Sequence, residues 1–411
     1  KLIKPYPQLL FALAMPFTTP VAQEVADMHG DENGNLHEHP VGTGPFVLKE
    51  WRRGHRITLV RNKNYYADFY PKSASPRFKE MGLLADAGKP LPFLDEIQFS
   101  IVKESQPSWL KFLKGDIEVM GIPKDNFQSA ITDKINLSGD LVKKGIQLQI
   151  EKTSTFYYIA FNMKDDLVGK NKYLRQALSA AIDREKYIEI FTNNRALKMT
   201  SALPEGTAGR PKNPKVKYDF NVKKAKELLK KAGYPNGKGL PEIKLDTRGS
   251  SSLSRQQGEF FTKQFAKIGV KIKVNLNTFP AFLKKMTDGN LQVSIGGWSM
   301  DYPDAENVYQ LLYGPNRPPG PNDTHFDHPK MNQFYEKMAG MSPSSKRSQI
   351  IADMDSLIQE EIPWAFLFNR VSYRLSQKWL KNYRGSNIIL NGYKYYKIDK
   401  NEKKQLLLSN K

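Results

Sequence analysis

Apolar residues recur in two rhythms along the 411-residue chain, and the rhythm changes near Thr153. Before that point short alternating runs dominate. Phe46–Trp51 and Arg56–Arg61 read as strands joined by Arg52-Arg53-Gly54-His55, a hairpin loop with glycine at the turn. Lys72–Pro92, rich in proline, glycine and charge, reads as a surface excursion, and β character resumes over Glu96–Lys103. Ser105-Gln106-Pro107 opens a helix with proline just inside, and Trp109, Leu110 and Leu113 are expected on its apolar side. Gly115-Asp116 stops that helix, and Ile117–Ile122 follows as a strand.

Beyond Thr153 the spacing lengthens. Leu174, Leu178 and Ile182 fall four apart within Lys172–Asp183, the mark of an amphipathic helix. Asn221–Ala232 is another, closed by Gly233, where a residue without a side chain suits the left-handed turn. From Glu242 strands and helices alternate: strand Glu242–Thr247, helix Leu253–Ile268, strand Val270–Leu276, helix Phe279–Thr287, strand Leu291–Trp298. That order predicts βαβ units and a largely parallel sheet. Ser344–Glu361 forms a helix with Ile350, Ile351, Met354, Leu357 and Ile358 on one face, and Pro363 forces Trp364–Tyr373 into an extended run. Two α/β lobes result, with Thr155–Phe161 and Trp364–Phe368 entering and leaving the second as a two-stranded hinge would.

Composition narrows the chemistry. Cysteine is absent, which removes disulfides, thiolate nucleophiles, thiolate zinc sites and Fe–S clusters. The longest apolar run, Leu9–Met15, is stopped by Pro16, far short of the roughly 20 residues of a spanning helix. The chain opens on Lys1 rather than Met, and is expected to be a processed product or a piece of something longer. Lysine and arginine outnumber acidic residues 63 to 42, a formal charge of +21, but the lysines are diffuse. No zinc-finger, RNP-type or helix-turn-helix pattern accompanies them, so no nucleic-acid partner is expected.

No hydrolase elbow, zincin helix or phosphate loop is present. Gly42-Thr43-Gly44 is followed by Pro45-Phe46 and a strand, not by the helix N-terminus a phosphate needs. His29, His37 and His39 read as surface residues of a polar loop. Asp301 and Asp304 are a carboxylate pair without a nucleophile or oxyanion hole beside them. No catalytic residue, metal or cofactor is expected.

Several runs, in a shared order over Pro40–Tyr373, resemble the family 5 extracytoplasmic solute-binding proteins, the dipeptide and oligopeptide receptors of ABC importers. They are Pro40-Val41-Gly42-Thr43-Gly44-Pro45-Phe46, Glu50-Trp51, Arg61-Asn62-Lys63-Asn64-Tyr65-Tyr66, Leu113-Lys114-Gly115-Asp116-Ile117-Glu118-Val119 and Ala160-Phe161-Asn162-Met163. Further on come Leu174-Arg175-Gln176-Ala177-Leu178-Ser179-Ala180-Ala181-Ile182-Asp183-Arg184, Lys224-Ala225-Lys226-Glu227-Leu228-Leu229 with Ala232-Gly233-Tyr234, and Gly297-Trp298-Ser299-Met300-Asp301-Tyr302-Pro303-Asp304. The resemblance implies an α/β two-lobe periplasmic-binding-protein type II fold (a Venus flytrap) with a two-stranded hinge. Residues 1–155 plus 372–411 would form lobe I and 156–371 lobe II. Relatives carry a long stretch before the equivalent of Lys1, so lobe I is expected to be incomplete, its missing part on a separate N-terminal segment, with a shortened homologue as the alternative. The implied setting is periplasmic or cell-surface, with a membrane ABC permease as partner.

The implied ligand is a short peptide or similar small solute, held by strand addition. Gly296 and Gly297, without side chains, would let another backbone come close. Asp301, three residues after Trp298, resembles the acceptor for a peptide's α-amino group; capping of the helix that starts near Asp304 is its plain alternative. Ser299, Trp298, Tyr302 and Tyr157 complete the expected ligand-binding set, with core packing as the competing role for the aromatics. Leu367, Phe368 and Ile295 depart from positions where some members carry tyrosines or a basic residue. Members that take nickel chelates, haem, sugars or opines mark the alternatives within this class; an enzyme or a basic nucleic-acid-binding protein marks those outside it.

Overall fold

The computed structural model describes residues 2–409 except 4, 33, 134 and 386–391. The chain divides into two compact units: Lys1–Met15 with Glu151–Ser372, and Pro16–Ile150 with Tyr373–Lys411.

In the second of these, Phe46–Arg52 and Arg56–Arg61 pair antiparallel as a hairpin, and Glu96–Ser100 adds antiparallel to make three strands. The helix Ser105–Leu113 buries Trp109 and Phe112, three apart, and leaves Leu110 57% exposed. The expected stripe was thus displaced: Phe112, not Leu110, shares the inward face with Trp109. Gly115 ends the helix at φ +80°, and a Cβ there would lie 2.7 Å from the Leu407 side chain and 3.1 Å from Trp379. Glycine is needed both for the turn and for that packing. The expected strand Ile117–Ile122 shrinks to Val119–Gly121, which pairs with Arg374–Ser376. Trp109, Phe112, Ile122, Phe127, Leu141, Ile146 and Leu375 form its core. A cavity of about 830 Å³ lies in the same unit, lined in part by Phe99, Glu118, Arg374, Tyr393 and Tyr396.

The other unit is built on a sheet ordered Ile272–Asn275, Ile243–Asp246, Val293–Ser299, Ile146–Phe161, Trp364–Gln377, with Ala196–Lys198 also on the last strand. The first three are parallel and joined by the helices Ser252–Ala266 and Phe279–Thr287, as the alternation predicts. Val293–Ser299 then runs antiparallel to Thr155–Phe161, so the sheet is mixed rather than largely parallel. Local periodicity reveals crossovers but not a partner that arrives from far upstream.

Side chains alternate across this sheet and feed two cores. Ile159, Phe161, Leu245 and Val293 face Leu174, Leu178, Phe261 and Phe265 on one side. Phe156, Tyr158 and Ala160 face Met300, Tyr309, Met354 and Trp364 on the other. Asn171 and Asn221 cap the helices Lys172–Ala181 and Val222–Lys231, accepting from the backbone N–H of Leu174 and Lys224. The helix Ser345–Glu361 buries Ile351, Met354 and Ile358, while Ile350 and Leu357 only flank the core. The chain passes between units inside the strands Ile146–Phe161 and Trp364–Gln377, and once more after Met15. Among the described residues no helix is long and apolar enough to cross a membrane.

Candidate functional site

The candidate residues gather where Val293–Ser299 leaves the sheet. Its parallel neighbour Ile243–Asp246 registers only with Val293 and Ser294, so Ile295–Ser299 runs on past that strand's carboxyl end. A ligand crevice is expected at such an end.

Gly296 and Gly297 lie opposite Tyr158 and Tyr157. A Cβ on Gly296 would stand 2.3 Å from the Tyr158 ring, and one on Gly297 2.7 Å from the Tyr157 ring. The room left by the missing side chains is therefore taken by tyrosines of the adjacent strand. What Gly297 offers is its carbonyl, which accepts from Arg248 Nη1 at 3.0 Å. Arg248 follows the end of Ile243–Asp246, with its guanidinium 5.5 and 5.8 Å from the ring centres of Phe279 and Phe282.

Ser299 is exposed, and its hydroxyl meets that of Thr155 at 2.7 Å. Trp298 is half-buried and donates its indole N–H to Asn307 Oδ1 at 3.1 Å. Asp301 is half-buried; its backbone N–H donates to the same Oδ1 at 3.0 Å, and its Oδ2 accepts from Asn307 Nδ2 at 3.0 Å. Asp301 has no ion pair among the described residues. Neither aspartate is the N-cap of the helix Glu306–Tyr309, a position held by Ala305 with no side-chain cap; Asp304 Oδ1 accepts from the Glu306 N–H at 2.9 Å. Arg347 at 2.6 Å and Gln8 at 3.2 Å hold that same oxygen.

Tyr302 turns inward. Its hydroxyl donates to Glu306, its ring stacks on Phe11 at 5.7 Å, and burial followed by the hydrogen bond to Glu306 holds the phenol well above its ordinary range. Tyr157 is half-buried against Phe368, ring centres 4.7 Å apart. Gly297, Trp298, Ser299 and Asp301 thus lie along one crest, whereas Gly296, Tyr157 and Tyr302 serve packing.

Arg248, Asn307 and Asp323 escaped the sequence reading. Arg248 carries a signal, a cation directly after a buried strand. Asp323 carries none. Its Oδ1 is buried without a hydrogen-bond partner, and burial pushes its carboxyl up to about 6 against the pull of Arg248. The Asp323 charge in turn adds to the burial that raises the fully enclosed Tyr158 phenol. His29 stacks on His39 at 4.6 Å, yet no group of three or more acidic or histidine side chains among the described residues is placed to hold a metal.

The family model described as bacterial extracellular solute-binding proteins, family 5 middle, matches residues 1–319. Heme-binding protein A of Haemophilus influenzae is 25% identical over 91% of this chain and 63% of its own length. Oligopeptide-binding protein AppA of Bacillus subtilis is 25% identical over 90% of this chain and 62% of its own. The chain therefore spans less than two thirds of these relatives. The periplasmic binding protein DppA of Helicobacter pylori, solved with the peptide STSA, superposes with a TM-score of 0.81 at 23% identity, covering 97% of this chain and 72% of that one. That likeness shows the fold, the two-lobe α/β architecture of type II periplasmic binding proteins. With the family model matched across Lys1–Pro319, the chain belongs to the family 5 bacterial extracellular solute-binding proteins.

Proposed function

We propose that this chain is the solute-binding part of an ABC-importer receptor that takes short peptides outside the cytoplasmic membrane and delivers them to a membrane permease, without catalysing a reaction. The observation that carries the reading is Asp301: a half-buried carboxylate with no ion pair among the described residues, at the end of a strand whose edge outruns its neighbour. A carboxylate in that state is prepared for a cation from outside the protein, and the α-ammonium of a peptide supplies one common to all peptides. Arg248, beside Gly297, is the matching cation for a ligand carboxylate or main-chain carbonyl. The likeness to an oligopeptide-binding relative supports the peptide class, while the likeness to a heme-binding one names the principal competitor.

Native mass spectrometry of the purified protein, followed by titration calorimetry with the peptides it retains, tests this reading. Asp301→Ala is expected to weaken peptide binding by about 2–5 kcal/mol, the cost of leaving a buried charge unpaired. Unchanged affinity removes the anchor, and retention of haem in place of peptide replaces the ligand class.

The unit Pro16–Ile150 with Tyr373–Lys411 leaves the large apolar side chains of Val47, Trp51, Tyr66, Phe69, Ile101 and Leu110 exposed. We read that surface as cover for further polypeptide of the kind that makes the relatives longer. Co-expression with such a segment is expected to yield a complex, and failure to associate counts against it.

A further inference from the structure

We propose that Asn307 is the positioning residue that orients the Asp301 carboxylate for its ligand, an inference that rests on the reading of Asp301 as an amino-group anchor. Asn307 is wholly buried, and its backbone N–H donates to the Asp304 carbonyl at 3.1 Å. Its carboxamide serves three groups of the Gly297–Asp301 crest at once. Oδ1 accepts from the Trp298 indole at 3.1 Å and from the Asp301 N–H at 3.0 Å, and Nδ2 donates to Asp301 Oδ2 at 3.0 Å.

The chemistry of the partners forces that orientation. Indole and backbone N–H only donate and a carboxylate only accepts, so a flipped amide would set donor against donor and oxygen against oxygen. Leucine can make none of the three bonds, and aspartate opposes Asp301 with a second negative charge. Asparagine is the side chain of this size that meets all three demands with no net charge. One oxygen of Asp301 is thereby committed to the protein, and Oδ1 takes no hydrogen bond from the described residues. The free lone pairs are aimed by a wholly buried group, which converts a half-buried carboxylate into a directional acceptor for an ammonium.

The test offers the full chain an equimolar pool of di- to hexapeptides with free or N-acetylated amino termini and counts the bound species by native mass spectrometry. The wild type is expected to favour free termini by about 30-fold or more. Asn307→Leu is expected to lower that preference by at least about tenfold, and a melting curve taken alongside reports on the fold. Asn307→Asp is the near-isosteric second variant. Its preference is expected to be poor at pH 8 and to recover near pH 5, where the two carboxylates share one proton, a response that lost packing does not produce.

Unchanged preference in both Asn307 variants overturns the positioning role. Asp301→Asn separates the two readings. If it leaves the preference intact, the anchor falls and the role of Asn307 with it. If it abolishes the preference while the Asn307 variants retain it, only the positioning inference falls. A wild type that binds free and acetylated peptides alike, or binds none, overturns both.

Discussion

Asp323 shows how one side chain couples burial to pH. Burial penalises its charged form and pushes the carboxyl up to about 6, and the Arg248 guanidinium offsets only part of that cost. An unfolded aspartate titrates near about 4. Between those values the folded chain holds a proton that the unfolded chain has lost, so stability falls as pH rises through this window and stays lower above it. Asp323→Asn is expected to raise the melting temperature at pH 7.5, by about 1–3 kcal/mol of stability, and to flatten its change between pH 4 and 6.5. Parallel wild-type and variant curves would show that the carboxyl does not titrate there. The motif around Trp298 and Asp301 was legible as a sequence, and so was the competing capping role for Asp301. Telling the two aspartates apart required the fold, because three residues apart they look alike until the helix start at Glu306, beyond both, shows that Asp304 and not Asp301 meets its first N–H.

At the scale of elements, local signals were read well and pairings were not. Val222–Lys231 and Lys172–Ala181 announce themselves through four-residue apolar spacing and an asparagine cap, both confined to one turn. The antiparallel match of Val293–Ser299 with Thr155–Phe161 joins segments well over a hundred residues apart, and no window of sequence contains it. The glycine pair illustrates the consequence. Read alone it promises space, whereas beside Tyr158 and Tyr157 it is a socket for two rings. Gly296→Ala is therefore expected to destabilise the protein by about 1–3 kcal/mol through overpacking. Gly42→Ala, whose Cβ would meet nothing within 4 Å, is the control and is expected to leave the melting temperature nearly unchanged. Equal melting for the two variants would mean that Tyr158 yields without cost.

For the whole molecule, the two units differ in how well they are insulated. The unit containing Glu151–Ser372 has a core on each face of its sheet. The other relies on the smaller cluster around Trp109, Phe112 and Leu375. Amides of Phe46–Arg61 and Val119–Gly121 are accordingly expected to exchange faster in hydrogen-exchange mass spectrometry than those of Phe156–Phe161 and Ile243–Asp246. Matched protection in both sets would deny the difference. The bond from Gln8 to Asp304 spans 296 residues, because the chain begins in one unit, leaves it after Met15 and returns at Glu151. At translation speeds of about 5–20 residues per second, Gln8 waits roughly 15–60 s for the aspartate that satisfies it. The segment Pro16–Ile150 waits as well, for the residues from Tyr373 onward. The unit with Glu151–Ser372 can close once Ser372 has emerged, whereas the residues Pro16–Ile150 must keep their apolar side chains unsatisfied until Tyr373 and its successors arrive.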